Sequence, residues 1–569
     1  MTANAQEAAI PIGGAGAVPY AGGGAIGGGE AVVAQSNLTF SITLNFAFPI
    51  VGCAFIFYIL LFLVEGAIIG LFVFVSYPYM YDYIDTDYYY FGLDTVYPNL
   101  AMDYFLYYKM MCDVAIMMLV GYGFLSQFPR YHRWSSLGFT FFAAVLSMQI
   151  YILWWGLWDE SFAGNWYVSA VPEQTYPHLY IVIWLASVVA AMKAAVTVLI
   201  TLGALIGKID ALQILIIILG EVVLYALNEA IIFRLVLTRD VGGSMYIHSF
   251  GACFGIFASW VYAHKAGCSE NPNRKPSYGS ATLTFVGTLF LWIFFHSFNL
   301  HAFVQTGNDY IDNVNIHYLS YSPYFELTNL KYLAAMNTFW ALTSSTVTTF
   351  LVSFIIGRGK FVLEPILMCS ITGGIIIGSS ADMYAFPIAP LIAGAFIGIV
   401  STLCYHYLPR VLEHLFECAC CNVCCACGCC ECPGIHDTRG IFSVHLIPGF
   451  FGGIAAAIAY CGLGSVWFNY YPMTYYVARN PNAIWNTLMY GGLEIAGLLI
   501  SMGMGICGGL IIGVVLRIYK RYNFPVDTFG DHVFFKMVNE EPPKVEVPNP
   551  IGDQQNNQPQ DQPIAPVAQ

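Results

Sequence analysis

The chain has 569 residues, of which 58% are hydrophobic and only 10% are charged. This composition excludes an ordinary soluble globular protein. The formal net charge of −13 comes mostly from loops and the C-terminal tail, and no basic patch indicates nucleic acid as a partner. We therefore expect an all-α polytopic membrane protein whose main partner is the lipid bilayer.

The predicted elements begin after residues 1–40, a Gly/Ala-rich segment without Lys or Arg that is typical of a flexible tail. Twelve apolar stretches follow, each near or above the ~20 residues that cross a hydrocarbon core. They are predicted at 43–77, 106–128, 134–156, 179–206, 211–236, 241–263, 281–305, 332–356, 361–380, 386–407, 441–463 and 487–516. We assign residues 41–520 to one twelve-span domain. Residues 521–569 form a C-terminal tail whose Pro, Gln and Asn content predicts disorder toward its end.

Basic residues follow every even-numbered span, whereas the odd-numbered loops are mostly acidic. The basic residues are Arg130, Arg133, Lys208, Lys265, Arg274, Lys275, Arg358, Lys360, Arg410, Arg439, Arg517, Lys520 and Arg521. Cytoplasmic loops of membrane proteins carry an excess of Lys and Arg. The pattern therefore predicts that both termini are cytoplasmic.

Two glycine-rich spans each carry one histidine. His248 lies eight residues after Asp240, and His445 lies six residues after Arg439. Both histidines have Gly five residues before them, Phe six residues after and Gly seven residues after, which indicates an internal repeat. Because the charge pattern makes these spans run in opposite directions, the repeat is inverted and predicts a site near the midplane. At 1.5 Å per residue, the histidines lie roughly 12 Å and roughly 9 Å inside from opposite sides.

Each of these residues also has a simpler interpretation. A lone histidine in a membrane helix often makes only a helix–helix hydrogen bond, but the matched pair favours a pore. Asp240 precedes a helix, and an acid near a helix N-terminus suits the helix dipole. Capping and a role at the pore entrance are compatible for this residue.

The pattern Asp-x-Gly-Gly-Ser-Met-x-Ile-His-x-Phe-Gly-Ala, at residues 240–252, resembles the Rh glycoproteins of the Amt/Mep/Rh ammonium-transporter superfamily. The other matching motifs are Leu227-Asn228-Glu229, Gly287-Thr-Leu-Phe-Leu-Trp292 with Ser297-Phe298-Asn299, Gly373-Gly374 with Ala381-Asp382-Met383, and His445-x-x-Pro-Gly. The resemblance covers roughly residues 106–520. It implies the Amt/Rh fold, a homotrimer in which each protomer has its own pore, and ammonia or ammonium as the substrate.

By this resemblance, Asp240 would be the buried acid that shapes the outer substrate vestibule. His248 and His445 would be the twin histidines of a narrow apolar pore, below Phe298 as one of two stacked phenyl gates. An acidic vestibule favours ammonium at the mouth, whereas a dry pore favours ammonia because the ion is costly to desolvate. Two hydrogen-bonded imidazoles can offer both a donor and an acceptor. We expect no cofactor and no metal in such a pore.

The chain departs from this family at the second phenyl gate. That gate lies on the span before a Gly-x-x-x-Gly-Lys turn, present here at residues 203–208, and counting back places Lys193 at the gate position. Glu221 and Glu229 on the next span bracket its depth, so a buried ion pair is one interpretation. In the second, Lys193 lines the vestibule and repels ammonium, which would affect neutral ammonia or carbon dioxide less. A shift in the alignment is the third.

Nine cysteines crowd into residues 418–432, within a predicted cytoplasmic loop insertion at 411–439. Stable disulfides are not expected in the cytoplasm. The candidates for palmitoylation are Cys420, Cys421, Cys424, Cys425, Cys429 and Cys430. The Cys-x-x-Cys spacings of Cys421, Cys424, Cys427 and Cys430 also permit a thiolate metal site. A loop without a specific role is the third interpretation.

We predict a channel or transporter for ammonia/ammonium in the plasma membrane. One alternative is a carbon dioxide channel of the same fold. Another is a non-conducting structural or sensing protein of Rh type, which the twin histidines disfavour and which Lys193 and the cysteine-rich loop favour. An enzyme that uses the histidines as bases is not favoured, because no nucleophile or metal set converges with them.

Overall fold

Helices account for nearly all regular structure in the described part of the chain. A computed structural model describes residues 48–76, 98–163, 181–183, 185–262, 272–300, 323–424, 435–462, 487–519 and 529–536. Apart from residue 48, they belong to one unit that spans residues 49–569. The expected flexible tail at 1–40, the expected disorder at 541–569 and most of the cysteine cluster lie outside these ranges.

The helices of the first half are α1 (Phe48–Leu71), α2 (Pro98–Ile116), α3 (Gly123–Leu125), α4 (Arg133–Ala163), α5 (Leu185–Leu205), α6 (Ala211–Ala230) and α7 (Phe250–Tyr262). Short π-helical turns join or extend them at Met117–Tyr122, Ile231–Val236 and Ser244–Ser249. Two short strands, β1 (Val75–Ser76) and β2 (Ile181–Val182), pair in parallel, with Val75 opposite Ile181 and Ser76 opposite Val182.

The helices of the second half are α8 (Tyr278–Phe298), α9 (Pro323–Ile356), α10 (Leu363–Cys369), α11 (Thr372–Ile377), α12 (Ile388–Cys424), α13 (Ile447–Cys461) and α14 (Thr487–Tyr519). A π-helical turn at Phe442–Leu446 leads into α13. Short 3₁₀ turns occur at Phe72–Phe74, Pro272–Arg274, Gly378–Ser380 and Asp531–Val533.

These helices confirm the predicted all-α polytopic membrane fold. Within the described ranges, ten helical stretches are long and apolar enough to cross a membrane, and Ile56–Leu71 is a shorter apolar helix. The remaining predicted span corresponds to the π-helical turn Ser244–Ser249 and α7. Some boundaries differ from the prediction. α2 begins at Pro98, since proline suits the first turn of a helix, and α12 continues through Pro409 beyond the apolar stretch.

The two histidine-bearing helices lie against each other in opposite directions. A Cβ at Gly255 would lie 2.9 Å from Ile441 Cδ1, and a Cβ at Gly452 would lie 2.8 Å from Ser244 Cβ. The start of each helix therefore packs beside a later glycine of the other. This is the inverted arrangement that the sequence repeat predicts.

Two contacts of helix α5 show how far apart the starts of the two histidine-bearing helices lie. The Lys193 side chain reaches Val241 O, and the Arg439 backbone N–H donates to Gly203 O at 3.1 Å. Ten residues separate positions 193 and 203, which corresponds to about 15 Å along a helix. We call the two levels the Asp240 end and the Arg439 end of the bundle.

A buried ion pair supports the Asp240 end. Arg239 Nη2 lies 2.5 Å from Asp382 Oδ2, and both side chains are buried. The Arg239 backbone N–H also donates to Glu494 Oε1 at 2.9 Å. Breaking a buried ion pair by removing one member is strongly destabilising. We therefore expect this pair to hold the turn just before Asp240 in place.

Part of the predicted C-terminal tail packs onto the bundle. The Phe529 N–H donates to Gly207 O at 2.9 Å. Asp531 accepts three backbone N–H groups at the start of α4, from Arg133, Trp134 and Ser135, at 2.7–2.9 Å. A carboxylate at this position caps the helix. Residues 529–536, which we call the clasp, therefore pack against Gly207 and the start of α4.

Candidate functional site

Each histidine is carried on a π-helical turn that starts after a glycine with positive φ. Gly243 has φ of 77° and precedes the turn with His248, and Gly440 has φ of 70° and precedes the turn with His445. Positive φ is strained for residues with a Cβ, so glycine is the suitable residue at both positions. The five-residue spacing seen in the sequence thus marks the same backbone turn in both repeats.

The repeat brings the two imidazoles into contact. His248 Nδ1 and His445 Nδ1 lie 3.1 Å apart, and the ring centroids are 5.3 Å apart with an interplanar angle of 15°. Both side chains are buried. A hydrogen bond at this distance requires that one Nδ1 carries the proton and that the other accepts it.

A tyrosine extends this pair toward the Arg439 end. The Tyr122 hydroxyl lies 3.0 Å from His445 Nε2, and Tyr122 is buried. It comes from the π-helical turn between α2 and α3. Sequence reasoning missed Tyr122, because it lies in an apolar span and has no counterpart in the repeat.

The three groups form a chain with two consistent proton arrangements. If the Tyr122 hydroxyl donates to His445 Nε2, then His445 Nδ1–H donates to His248 Nδ1, and His248 Nε2 carries a proton. If every bond is reversed, His248 Nε2 becomes an acceptor. A neutral imidazole has one donor and one acceptor nitrogen, so no third arrangement satisfies both contacts.

His248 Nε2 is the open end of the chain. It is buried and has no hydrogen-bond partner among the described residues. The Phe295 and Phe298 rings lie next to the imidazole, with centroids 6.1 Å and 5.9 Å from its own. A buried polar atom without a partner is costly, so this nitrogen is suited to meet a small polar molecule.

Lys193 does not make the ion pair that the sequence suggested. Glu221 accepts a hydrogen bond from Thr201 Oγ1 at 2.6 Å, and Glu229 accepts one from the Tyr151 hydroxyl at 2.6 Å. Among the described residues, no carboxylate forms an ion pair with Lys193. The expected pairing is therefore wrong, because hydroxyl groups already engage both glutamates and the lysine head points elsewhere.

Lys193 instead lies against the predicted phenyl gate. Its Nζ is 4.7 Å from the centroid of the Phe298 ring and 3.4 Å from Val241 O, and the side chain is fully buried. A cation over an aromatic face within ~6 Å is attracted by the ring. The contact with Phe298 is compatible with the second interpretation, in which Lys193 lines the vestibule, and that role stays a prediction.

Asp240 is a buried cap. Its Oδ2 accepts the Met245 and Tyr246 N–H groups at 2.8 and 2.9 Å, and its Oδ1 accepts the Ser379 hydroxyl at 2.6 Å. The side chain has no exposed surface. Asp240 thus holds the turn that carries His248, and it can act on a passing ion only through its charge.

Asp437 is the counterpart of Asp240 in the other repeat. It lies eight residues before His445, as Asp240 lies eight residues before His248, and its Oδ2 accepts the Phe442 N–H at 2.9 Å. An Asp eight residues before each histidine is visible in the sequence, but the repeat as defined from Gly to Gly does not include this position.

The Arg439 end also carries a cation over a phenyl ring. The Arg439 guanidinium carbon lies 5.2 Å from the Phe128 ring centroid, and Nη2 is buried without a partner among the described residues. Burial lowers the pKa of Arg439 to about 10, so the group stays charged at neutral pH. The histidine chain is therefore flanked by Lys193 on one side and Arg439 on the other.

The described residues contain no group of three or more His, Cys, Asp or Glu side chains that could hold a metal ion. Of the cysteine candidates, Cys425, Cys427, Cys429 and Cys430 lie outside the described ranges. Only the backbone is described at Cys420, Cys421 and Cys424, where it continues α12.

The Ammonium Transporter Family matches residues 99–523 of this chain. The chain belongs to that family. The ammonium transporter Rh type C of Xenopus tropicalis is 30% identical over 447 residues, which cover 78% of this chain and 84% of the relative. The ammonium transporter Rh type B of Mus musculus is 29% identical over 459 residues, which cover 79% of this chain and 87% of the relative. The family is one of transporters and not of enzymes.

Solved structures show the same fold. Rh50 of Nitrosomonas europaea aligns with a TM-score of 0.56 at 21% identity, covering 77% of this chain and 93% of that one. A sensor Amt protein aligns with a TM-score of 0.53 at 16% identity, covering 74% and 93%. The predicted Amt/Rh fold is confirmed, and the chain is an integral multi-pass membrane protein of this family.

Proposed function

We propose that this protein conducts ammonia across a membrane and that the buried chain of His248, His445 and Tyr122 lines the path. The observation that carries this proposal is the buried His248 Nε2, which has no hydrogen-bond partner among the described residues. The centroid of its ring lies 5.9 Å from that of Phe298. Family membership and relatives named ammonium transporters support the same substrate.

The geometry favours a neutral passenger. Phe295 and Phe298 surround His248 with apolar rings, where an ion would lose its hydration. Ammonia can accept a hydrogen bond from His248 Nε2–H in one proton arrangement, or donate one to Nε2 in the other. The His248 imidazole thus replaces part of the hydration that ammonia loses, and it adds no net charge to the pore.

The proton balance follows from this passage. Ammonium leaves its proton in the solution on the entry side and crosses as ammonia. On the exit side ammonia takes up a proton, which raises the pH there. Asp240 contributes negative charge at the entry, but its oxygens are engaged by backbone and hydroxyl donors.

We further propose that the protein acts as a homotrimer in the plasma membrane, with both termini cytoplasmic. Large apolar side chains that are exposed in the single chain suit lipid or neighbouring protomers, among them Phe62, Val347, Ile392 and Ile518. Native mass spectrometry in detergent tests the trimer, and a monomer would contradict it.

A carbon dioxide channel is the second candidate. Lys193 and Arg439 lie at the two ends of the histidine pair, and carbon dioxide, like ammonia, carries no charge that these side chains would repel. Liposomes with purified protein and an internal pH dye distinguish the two gases. An inward ammonium gradient should cause rapid alkalinisation, whereas a carbon dioxide gradient should cause rapid acidification.

His248→Ala and His445→Ala should each reduce the ammonia-driven alkalinisation at least tenfold, while the proteins stay monodisperse. Tyr262→Phe is a control that changes a buried hydroxyl bonded to Lys208 O instead. Wild-type flux in either histidine variant would contradict the proposed path. A response to carbon dioxide alone would favour the second candidate.

A further inference from the structure

The face of the Phe298 ring is already occupied by a cation from the protein. Lys193 Nζ lies 4.7 Å from the ring centroid, a distance typical of a cation–π contact. The lysine head is a primary alkylammonium group, so it is chemically close to ammonium and methylammonium. A cation from solution would therefore have to compete with the Lys193 head, a chemically similar group that the protein already holds on the ring.

Packing, rather than an ion pair, holds the lysine there. Its other polar contact, with Val241 O at 3.4 Å, is long for a hydrogen bond. The carboxylates of Asp240 and Glu229 accept hydrogen bonds from other groups. The lysine head is therefore held over the ring without direct contact to either acid.

The ring that Lys193 covers is also a neighbour of the histidine chain. The Phe298 centroid lies 4.7 Å from Lys193 Nζ and 5.9 Å from the centroid of the His248 ring. A second cation that reached Phe298 would meet a like charge in a dry environment, where repulsion is strong. A neutral molecule would meet no such barrier.

Resting on the ammonia path proposed above, we propose that Lys193 is a specificity-determining residue whose ammonium head fills the cation site on Phe298. It excludes ammonium and methylammonium from that site and leaves the approach to His248 open to neutral ammonia. The proposed entry gate therefore consists of the Phe298 ring together with the Lys193 ammonium group.

The test is cation binding to the purified full-length protein. Thermal unfolding is followed in ammonium chloride, methylammonium chloride and sodium chloride at equal ionic strength. Wild-type protein should unfold at the same temperature in all three salts. Lys193→Met, which keeps the length of the side chain and removes the charge, vacates the site. It should gain an ammonium-specific, saturable rise in Tm of about 2 °C or more.

Lys331→Met is the matched control, because Lys331 is also buried and lies 5.1 Å over the Tyr107 ring. It should show no ammonium-specific rise. If Lys193→Met is not monodisperse, Lys193→Gln replaces it, since the amide can still donate to Val241 O. An ammonium-specific rise in wild-type protein, or none in a folded Lys193 variant, would overturn the proposal.

A flux assay separates this inference from the proposed function. Methylammonium should inhibit ammonia-driven alkalinisation by Lys193→Met at a concentration at least tenfold lower than for the wild type. Equal inhibition of the two proteins would overturn the role of Lys193 in specificity. If wild-type liposomes show no ammonia flux, the proposed function is wrong. The thermal measurement would still decide whether Lys193 occupies the Phe298 ring.

Discussion

His248 Nδ1 and His445 Nδ1 lie 3.1 Å apart although 197 positions separate the two residues in the chain. The contact depends on two antiparallel helices that start from equivalent turns, at Gly243 and Gly440. Neither histidine alone defines the site. The pair shares one hydrogen bond, Tyr122 closes one end of the chain, and His248 Nε2 at the other end has no partner among the described residues.

Tyr122→Phe should lower ammonia flux about fivefold, because it removes the hydroxyl that closes the histidine chain at His445 Nε2 and costs about one hydrogen bond. The measurement is the rate of alkalinisation in liposomes at equal protein density. Tyr262→Phe, which also loses a buried hydroxyl contact, is the control for stability. Equal flux in wild type and Tyr122→Phe would show that the hydroxyl does not serve the path.

Asp240→Ala should destabilise the protein by about 3 kcal/mol, since it removes a buried carboxylate that accepts three hydrogen bonds. Asp240→Asn keeps one acceptor oxygen and should cost less. Thermal unfolding in detergent checks both values. A wild-type Tm for Asp240→Ala would contradict the assignment of Asp240 as the cap of the His248 turn.

The repeat explains why much of the fold was predictable. Apolar runs of spanning length mark helices directly, because backbone groups in lipid must be satisfied within the segment. The matched Gly, His, Phe and Gly positions then indicate two equivalent helices, and the structure places their histidines in contact. Asp437 could have been found in the same way, by extending the comparison to the residue eight positions before His445.

The rest depends on three-dimensional packing that no local pattern encodes. Tyr122 meets His445 across 323 positions, and nothing in its own span distinguishes it. Depth along a helix suggested glutamate partners for Lys193, but depth does not fix the direction in which a side chain points. The clasp at 529–536 lies in the predicted C-terminal tail, and no local pattern identifies the start of α4 as the partner of Asp531.

The Arg239–Asp382 pair gives a prediction on stability. Asp382→Ala should cost about 3–5 kcal/mol, because it removes the carboxylate that pairs with the buried Arg239 guanidinium. The double variant Arg239→Met with Asp382→Leu should recover most of that loss. Denaturation in detergent measures all three proteins. If the double variant is no more stable than the single one, the loss does not come from breaking the ion pair.

His132 predicts a pH dependence of the clasp. Its side chain is buried beside Phe529 and Phe534, and burial, opposed by the Asp531 charge, lowers its pKa from 6.5 to about 4. The folded state thus favours the neutral ring. This contribution is complete above pH ~6.5 and is lost as the pH falls from there toward ~4.

At pH 5 the wild type should therefore lose about 2 kcal/mol of stability through His132 relative to pH 7.5. His132→Leu cannot be protonated and should lose correspondingly less between the two values. Thermal unfolding of both proteins at each pH provides the comparison. An equal loss in both proteins would mean that His132 does not titrate with unfolding in this range.

Neutral ammonia, rather than ammonium, should be the species that crosses past the histidine pair. The deciding measurement uses liposomes that hold purified wild-type protein and a pH dye. Internal pH and membrane current are recorded together after an ammonium gradient is imposed. We expect rapid alkalinisation without current. Alkalinisation accompanied by a proportional current would mean that the ion itself passes, and the proposed ammonia path would then be wrong.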